Sequence, residues 1–143
     1  MSLAARIADS DWFWERHANP RSGWSRFLAT PLILYAAYAR DRRALALALG
    51  FTLVNPVAFP PVDRDDDLAW MTRVVDAERA WLREEFDPGA WTRLNLLNSI
   101  VFGYALLSAY RRRPARAVLA AAVSMALKLV FVGALARKHA TES

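Results

Sequence analysis

The chain has 143 residues, 55% of them hydrophobic and 12% aromatic, which suits one compact bundle with more apolar material than an average soluble domain carries. Cysteine is absent, and this excludes a disulfide framework, a thiol nucleophile and a thiolate metal site. The net charge of +5 would suit nucleic acid, but the basic residues crowd into short turns beside apolar runs, a placement that matches anionic lipid head groups instead.

Asp9 to Ala18 reads as a short amphipathic helix with acidic residues at its start, where the positive end of the helix dipole favours them. No basic region leads into an apolar run at the N-terminus, so no cleavable signal peptide is expected. Asn19-Pro20 fits an N-cap followed by proline at the first helical position, which predicts a helix running through Trp24 into an apolar segment kinked at Pro31.

Four apolar segments follow in two pairs. Phe27 to Ala39 and Ala44 to Phe59 flank Arg40-Asp41-Arg42-Arg43, while Leu94 to Tyr110 and Ala117 to Ala136 flank a turn from Arg111 to Arg116. Their lengths are 13, 16, 17 and 20 residues. A perpendicular crossing of the hydrocarbon core takes about 20, so the first two are marginal and lean on snorkelling arginines and interfacial aromatics. A soluble bundle is the competing reading; apolar runs on both sides of arginine-rich turns argue against it.

Between the pairs, Asn55-Pro56 and Phe59-Pro60-Pro61 impose an extended exit. An acidic run from Asp63 to Asp67 leads into a connector helix over about 66–86, in which Leu68, Met71, Val75 and Leu82 lie beside a second stripe of Trp70, Val74, Ala77 and Trp81. Asp87-Pro88-Gly89 stops it.

The expected fold is all-α: a single-domain helical membrane bundle with four transmembrane segments (about 24–39, 44–59, 94–110 and 117–136), an N-terminal interfacial helix and the connector helix. The two hairpin turns hold seven basic residues in ten positions, whereas the connector from Val62 to Arg93 holds five against nine acidic ones. Basic loops stay cytoplasmic, which places both termini and the connector outside the cell membrane.

Within the apolar segments Lys128 is the sole charged side chain. It reads either as a substrate counter-ion or proton-relay group, or as a structural ion pair or snorkelling lysine. Asn95, Asn98 and Ser99 share one face with Gly103 a turn deeper, and Ala117, Ala121, Ser124 and Lys128 form a comparable stripe. The bland reading, helix packing through hydrogen bonds and small residues, stands ahead of a ligand site. His17 could serve as acid or base beside Glu15 and Arg16, or as a hydrogen-bonded structural residue next to the Asn19-Pro20 cap. Glu78 would pair with Lys128 or Arg93, and Arg79 would bind an anionic head group or simply face solvent. Metal binding is disfavoured, because His139 is the only other histidine.

Four motifs carry a resemblance. Phe13-Trp14-Glu15-Arg16-His17-Ala18-Asn19-Pro20, Asn55-Pro56-Val57-Ala58-Phe59-Pro60-Pro61, Ala77-Glu78-Arg79-Ala80-Trp81 and Lys128-Leu129-Val130-Phe131 are similar to F-W-x-R-H-x-N-P, N-P-x-x-F-P-P, G-E-R-x-W and K-L motifs. Together they resemble an uncharacterised family of small multi-span prokaryotic membrane proteins, notably haloarchaeal. The resemblance implies a membrane protein and brings no activity. Ala77 replaces the family's glycine, and Val132-Gly133-Ala134 stands where an acidic residue is expected after the lysine.

His17, Asn19, Asn55, Glu78, Arg79, Arg93, Asn95, Asn98 and Lys128 would then fall on one side of the membrane and converge in one polar cluster. His17, Glu78 and Lys128 are the candidate catalytic groups; Asn19, Asn55, Arg79, Arg93, Asn95 and Asn98 are candidates for ligand binding. The expected function is a non-catalytic integral membrane protein whose cluster engages lipid head groups or a partner protein. The alternatives are a membrane enzyme acting on a lipid-linked substrate and a small proton-coupled carrier. No nucleotide, haem, flavin or metal motif is visible, so no cofactor is expected. The expected partners are membrane lipids and either further copies in a homo-oligomer or a membrane partner protein, with no nucleic acid.

Overall fold

The computed structural model describes residues 3–64 and 69–142, and among them every regular element is helical. In chain order these are α1 (Leu3–Ala8), α2 (Asp11–His17), α3 (Pro20–Ser25), α4 (Ala29–Ala39), α5 (Arg42–Val54), α6 (Trp70–Leu82), α7 (Trp91–Tyr110) and α8 (Pro114–Glu142), with 3-10 turns at Arg26–Leu28 and Asn55–Val57. The all-α expectation holds. Among the described residues, however, one helix alone, α8 over Pro114–Thr141, is long and apolar enough to cross a membrane by length and composition.

The other three expected spans depart from that measure for local reasons. The first is divided, because the 3-10 turn at Arg26–Leu28 separates α3 from α4. Pro31 therefore lies in the first turn of α4, where a missing N–H costs nothing, and the break precedes it. The second ends early at Val54, where Asn55-Pro56 opens a 3-10 turn. That leaves α4 with 11 residues and α5 with 13. α7 reaches 20 residues, but Arg93, Asn95, Asn98 and Ser99 make its first half polar. The connector helix is shorter than expected and runs Trp70–Leu82; Asp65 to Leu68, which include its expected start at about 66, lie outside the described residues. The N-terminal helix begins at Asp11 with Ser10 as its cap, Ser10 Oγ accepting from Phe13 N at 3.4 Å, and α1 precedes it.

The chain forms two compact units. The first comprises Met1–Arg26, Val54–Gly89 and Val132–Ser143; the second comprises Phe27–Leu53 and Ala90–Phe131. In the first, Trp14, Ala18 and Val75 form a core against which Phe13 and Val62 pack. Met71, Val74, Ala77 and Ala80 are buried with Val75 on α6. Gly23 lets α3 approach α6: a Cβ there would lie 2.0 Å from Met71 Cγ. Trp24 stacks on Trp70 with centroids 5.8 Å apart.

The second unit is two helical hairpins built alike. Arg40 (φ 53°) ends α4 and Arg112 (φ 60°) ends α7, both left-handed and 72 positions apart. Their hydrogen bonds match one for one. Arg40 N donates to Ala37 O and Asp41 N to Ala36 O; Arg112 N donates to Ala109 O and Arg113 N to Ser108 O, all within 2.9–3.2 Å. This pairing satisfies carbonyls that the last helical turn leaves open. Each turn then reaches across to the other hairpin. The Arg40 guanidinium lies 4.4 Å from the Tyr110 ring centroid, and that of Arg112 5.3 Å from Tyr38. Within the second hairpin Ala105, Ala120 and Ala121 are buried, with Val101 of the same hairpin and Leu34 of the first packed on them.

Candidate functional site

The first unit holds a connected polar network. α2 turns Phe13, Trp14 and His17 to one face by their three- and four-residue spacing, and the rings touch: Phe13 stacks on His17 at 5.3 Å and Trp14 meets it edge-on at 5.2 Å. Arg26, in the 3-10 turn after α3, closes this aromatic enclosure. Its Nη1 lies 2.6 Å from His17 Nδ1 and 2.5 Å from Nε2. Burial, and then the neighbouring Arg26 charge, push His17 down to about 3. Glu78 on α6 supplies the negative charge that Arg26 feels in turn.

Beside it, Asn55 takes the role of a buried hub. Ser22 Oγ is 3.1 Å from both Asn55 O and Asn55 Oδ1, Asn55 Nδ2 donates to Ser25 Oγ at 2.7 Å, and Ser25 Oγ donates to Ser22 O at 3.1 Å. Thr72, fully buried, donates to Ala18 O at 2.8 Å. Each of these bonds answers a polar group that burial would otherwise leave costly.

Asn19 caps α3 by accepting from Arg21 N at 2.9 Å and donates through Nδ2 to Pro60 O at 3.1 Å. Val62 N donates to Glu15 O at 2.9 Å. The F-W-E-R-H-A-N-P and N-P-V-A-F-P-P segments are thereby laced to one another. Arg64 adds a fork, with Nε on both Glu15 oxygens at 3.0–3.1 Å and Nη1 and Nη2 on Asp76 at 3.0 Å; these contacts hold its pKa well above the ordinary arginine value. Arg79 donates Nε to Ala8 O at 2.7 Å and pairs through Nη2 with Asp11 at 2.5 Å, which lowers the Asp11 carboxyl.

Of the nine residues expected to converge, His17, Asn19, Asn55, Glu78 and Arg79 belong to this first unit, while Arg93, Asn95, Asn98 and Lys128 belong to the second. There Asn98 Oδ1 accepts from Ser124 Oγ at 2.5 Å, joining α7 to α8, and Asn95 O accepts from Ser99 Oγ at 3.1 Å. Lys128 Nζ lies 5.4 Å from the Phe131 ring. Arg93 sits in the first turn of α7.

Arg26, Ser22, Ser25, Thr72 and Arg64 escape the sequence reading. Arg26 carried a usable signal, since it stands directly before an uncharged run of 13 residues that begins at Phe27. The serines and Thr72 carried none, because nothing in their spacing marks them as buried. Among the described residues no group of three or more His, Asp or Glu side chains is placed to hold a metal ion. No protein-family model, curated protein or solved structure matches the chain.

Proposed function

We propose that the chain is a non-catalytic integral membrane protein, with the second unit embedded in the bilayer and the first organised by its polar network in the interfacial or aqueous layer. One observation carries this reading. Apart from Phe131 at its border, the second unit buries small residues and exposes large apolar ones: Ala36, Ala48, Ala105, Ala109 and Ser108 are inside, while Leu47, Leu53, Leu96, Val118 and Leu119 are 63–79% exposed. Water would penalise such a surface, whereas lipid requires it, and small residues are what membrane helices pack through. The resemblance to small multi-span membrane proteins points the same way.

In this reading α4, α5, α7 and α8 are the four membrane segments and the arginine turns are cytoplasmic, with the termini and connector outside. α4 and α5 are short, so the bilayer thins around them or they reach less deeply; mismatch of this kind costs fractions of a kcal/mol per Å. A histidine held at about 3 keeps one protonation state across neutral pH, which suits an architectural His17 better than an acid or base that must cycle. The network then presents a rigid surface to head groups or to a membrane partner protein.

The test is extraction of membranes containing the full chain. Retention through alkaline carbonate and release by detergent is expected; release by carbonate overturns the reading. Because the chain lacks cysteine, Glu84→Cys and Arg111→Cys give clean orientation probes. An impermeant maleimide should label the first and not the second in intact cells.

A further inference from the structure

We infer that the groove between α4, α5 and α7 is a binding site for one anionic phospholipid, with its acyl chain along the groove and its phosphate at the arginine turn. The inference rests on the membrane reading above and adds a defined ligand to it. The groove has a volume of about 730 Å³. Its floor is apolar, formed by Ile33, Ala37, Leu106 and Leu107, and its mouth carries Arg40, Asp41 and Arg42.

Charge decides the class of ligand. The Asp41 carboxylate is committed to its own turn, where Oδ1 accepts from Arg43 N at 2.9 Å and from Ala44 N at 3.3 Å. Arg40 spends Nε and Nη2 on Tyr110 O, at 3.2 and 2.8 Å, yet keeps its positive charge at the mouth. Arg42 is exposed at the start of α5, with its guanidinium directed to no protein acceptor or ion-pair partner among the described residues. An apolar channel whose mouth holds two cations against one carboxylate, a net positive charge with the Arg42 guanidinium uncommitted, suits a molecule with an apolar tail and a negative head. A zwitterionic lipid would fill the channel equally well but would place its own cation beside these arginines.

The full chain in detergent, titrated with phosphatidylglycerol or phosphatidylcholine and read by native mass spectrometry, tests this. Phosphatidylglycerol should be retained in preference to phosphatidylcholine. Arg42→Gln should reduce that preference about fivefold, the factor of one basic residue near an anionic surface, whereas Arg73→Gln, exposed on α6 and outside the groove, should leave it intact. Ala37→Phe, which fills the floor, should lower retention of both lipids. Equal retention of the two lipids by the unaltered chain overturns the inference, as does a preference that survives Arg42→Gln. Failure of the membrane reading shows separately, as release of the chain from membranes by carbonate.

Discussion

The two units of this chain solve the same packing problem in opposite ways. The first puts large side chains inside, with Trp14, Met71, Val74, Val75 and Leu135 all less than 5% exposed, and links its elements by side-chain bonds to distant backbone. The second, Phe131 at its border apart, puts alanine inside and leucine outside, and keeps its charges at the hairpin ends apart from Lys128. The first is the solution a chain finds when water rewards burial of apolar area. Under the membrane placement proposed above, the second has no such reward to collect, because lipid is as apolar as leucine; close approach of backbones is what remains.

Three substitutions probe this comparison. Trp14→Ala removes the centre of the first core and should cost about 4 kcal/mol, read as a loss of denaturant midpoint in detergent. A large apolar side chain removed from the outside of the second unit, as in Leu53→Ala, should leave that midpoint nearly unchanged. Leu119→Arg, at a position 68% exposed, is the sharper probe. On an aqueous surface it would be worth less than about 0.5 kcal/mol, whereas in a bilayer insertion should become less favourable by about 3 kcal/mol. Glycosylation-based insertion assays of α8 measure this difference, and a neutral result would return the second unit to water.

What could be read in advance follows the same division. The second unit is written in blocks of composition, so its helices and arginine turns are legible from Tyr38 to Arg43 and from Tyr110 to Arg116. The first depends on side chains that meet across long separations, such as Ser22 with Asn55 and Arg64 with Glu15. Periodicity cannot show these pairs. Asn19-Pro20 is legible because capping is local; the break at Arg26–Leu28 is not, because Arg26 keeps helical backbone angles and its side chain meets a histidine nine residues earlier, which periodicity does not show. The single polar cluster was an extrapolation from topology, and its nine members divide between the units.

Acid separates the units again, with a smaller effect at each step. His17 stays neutral in the folded chain down to about 3, whereas in the unfolded chain it titrates near 6.5. Below that upper value the unfolded state binds a proton that the folded state refuses. Stability of the first unit should therefore fall by about 1.4 kcal/mol per pH unit as pH drops below 6.5, before the carboxylates begin to titrate. Urea midpoints at pH 7 and pH 5 measure it. His17→Gln should flatten the slope in that window; an unchanged slope would place the titrating group elsewhere.

The smallest expected effect tests whether the two hairpins are as alike as their turns. Arg40 and Arg112 each hold a left-handed backbone and stack on the tyrosine of the opposite hairpin. Substitution by alanine keeps the backbone cost and loses the cation–π contact, worth about 0.5–1 kcal/mol at an exposed site. Substitution by glycine loses the same contact but relieves the left-handed cost of about 1 kcal/mol, so at Arg112 the two changes should nearly cancel. The gap between the alanine and glycine variants should then be equal at both positions, since the backbone is the same. The alanine values themselves should differ, because Arg40 also donates two hydrogen bonds to Tyr110 O at the end of α7 and Arg112 makes no such cap among the described residues. Arg40→Ala should therefore cost about 1 kcal/mol more than Arg112→Ala in thermal unfolding of the detergent-solubilised chain. Equal costs would mean that the cap contributes nothing and that the clasp alone ties the hairpins together.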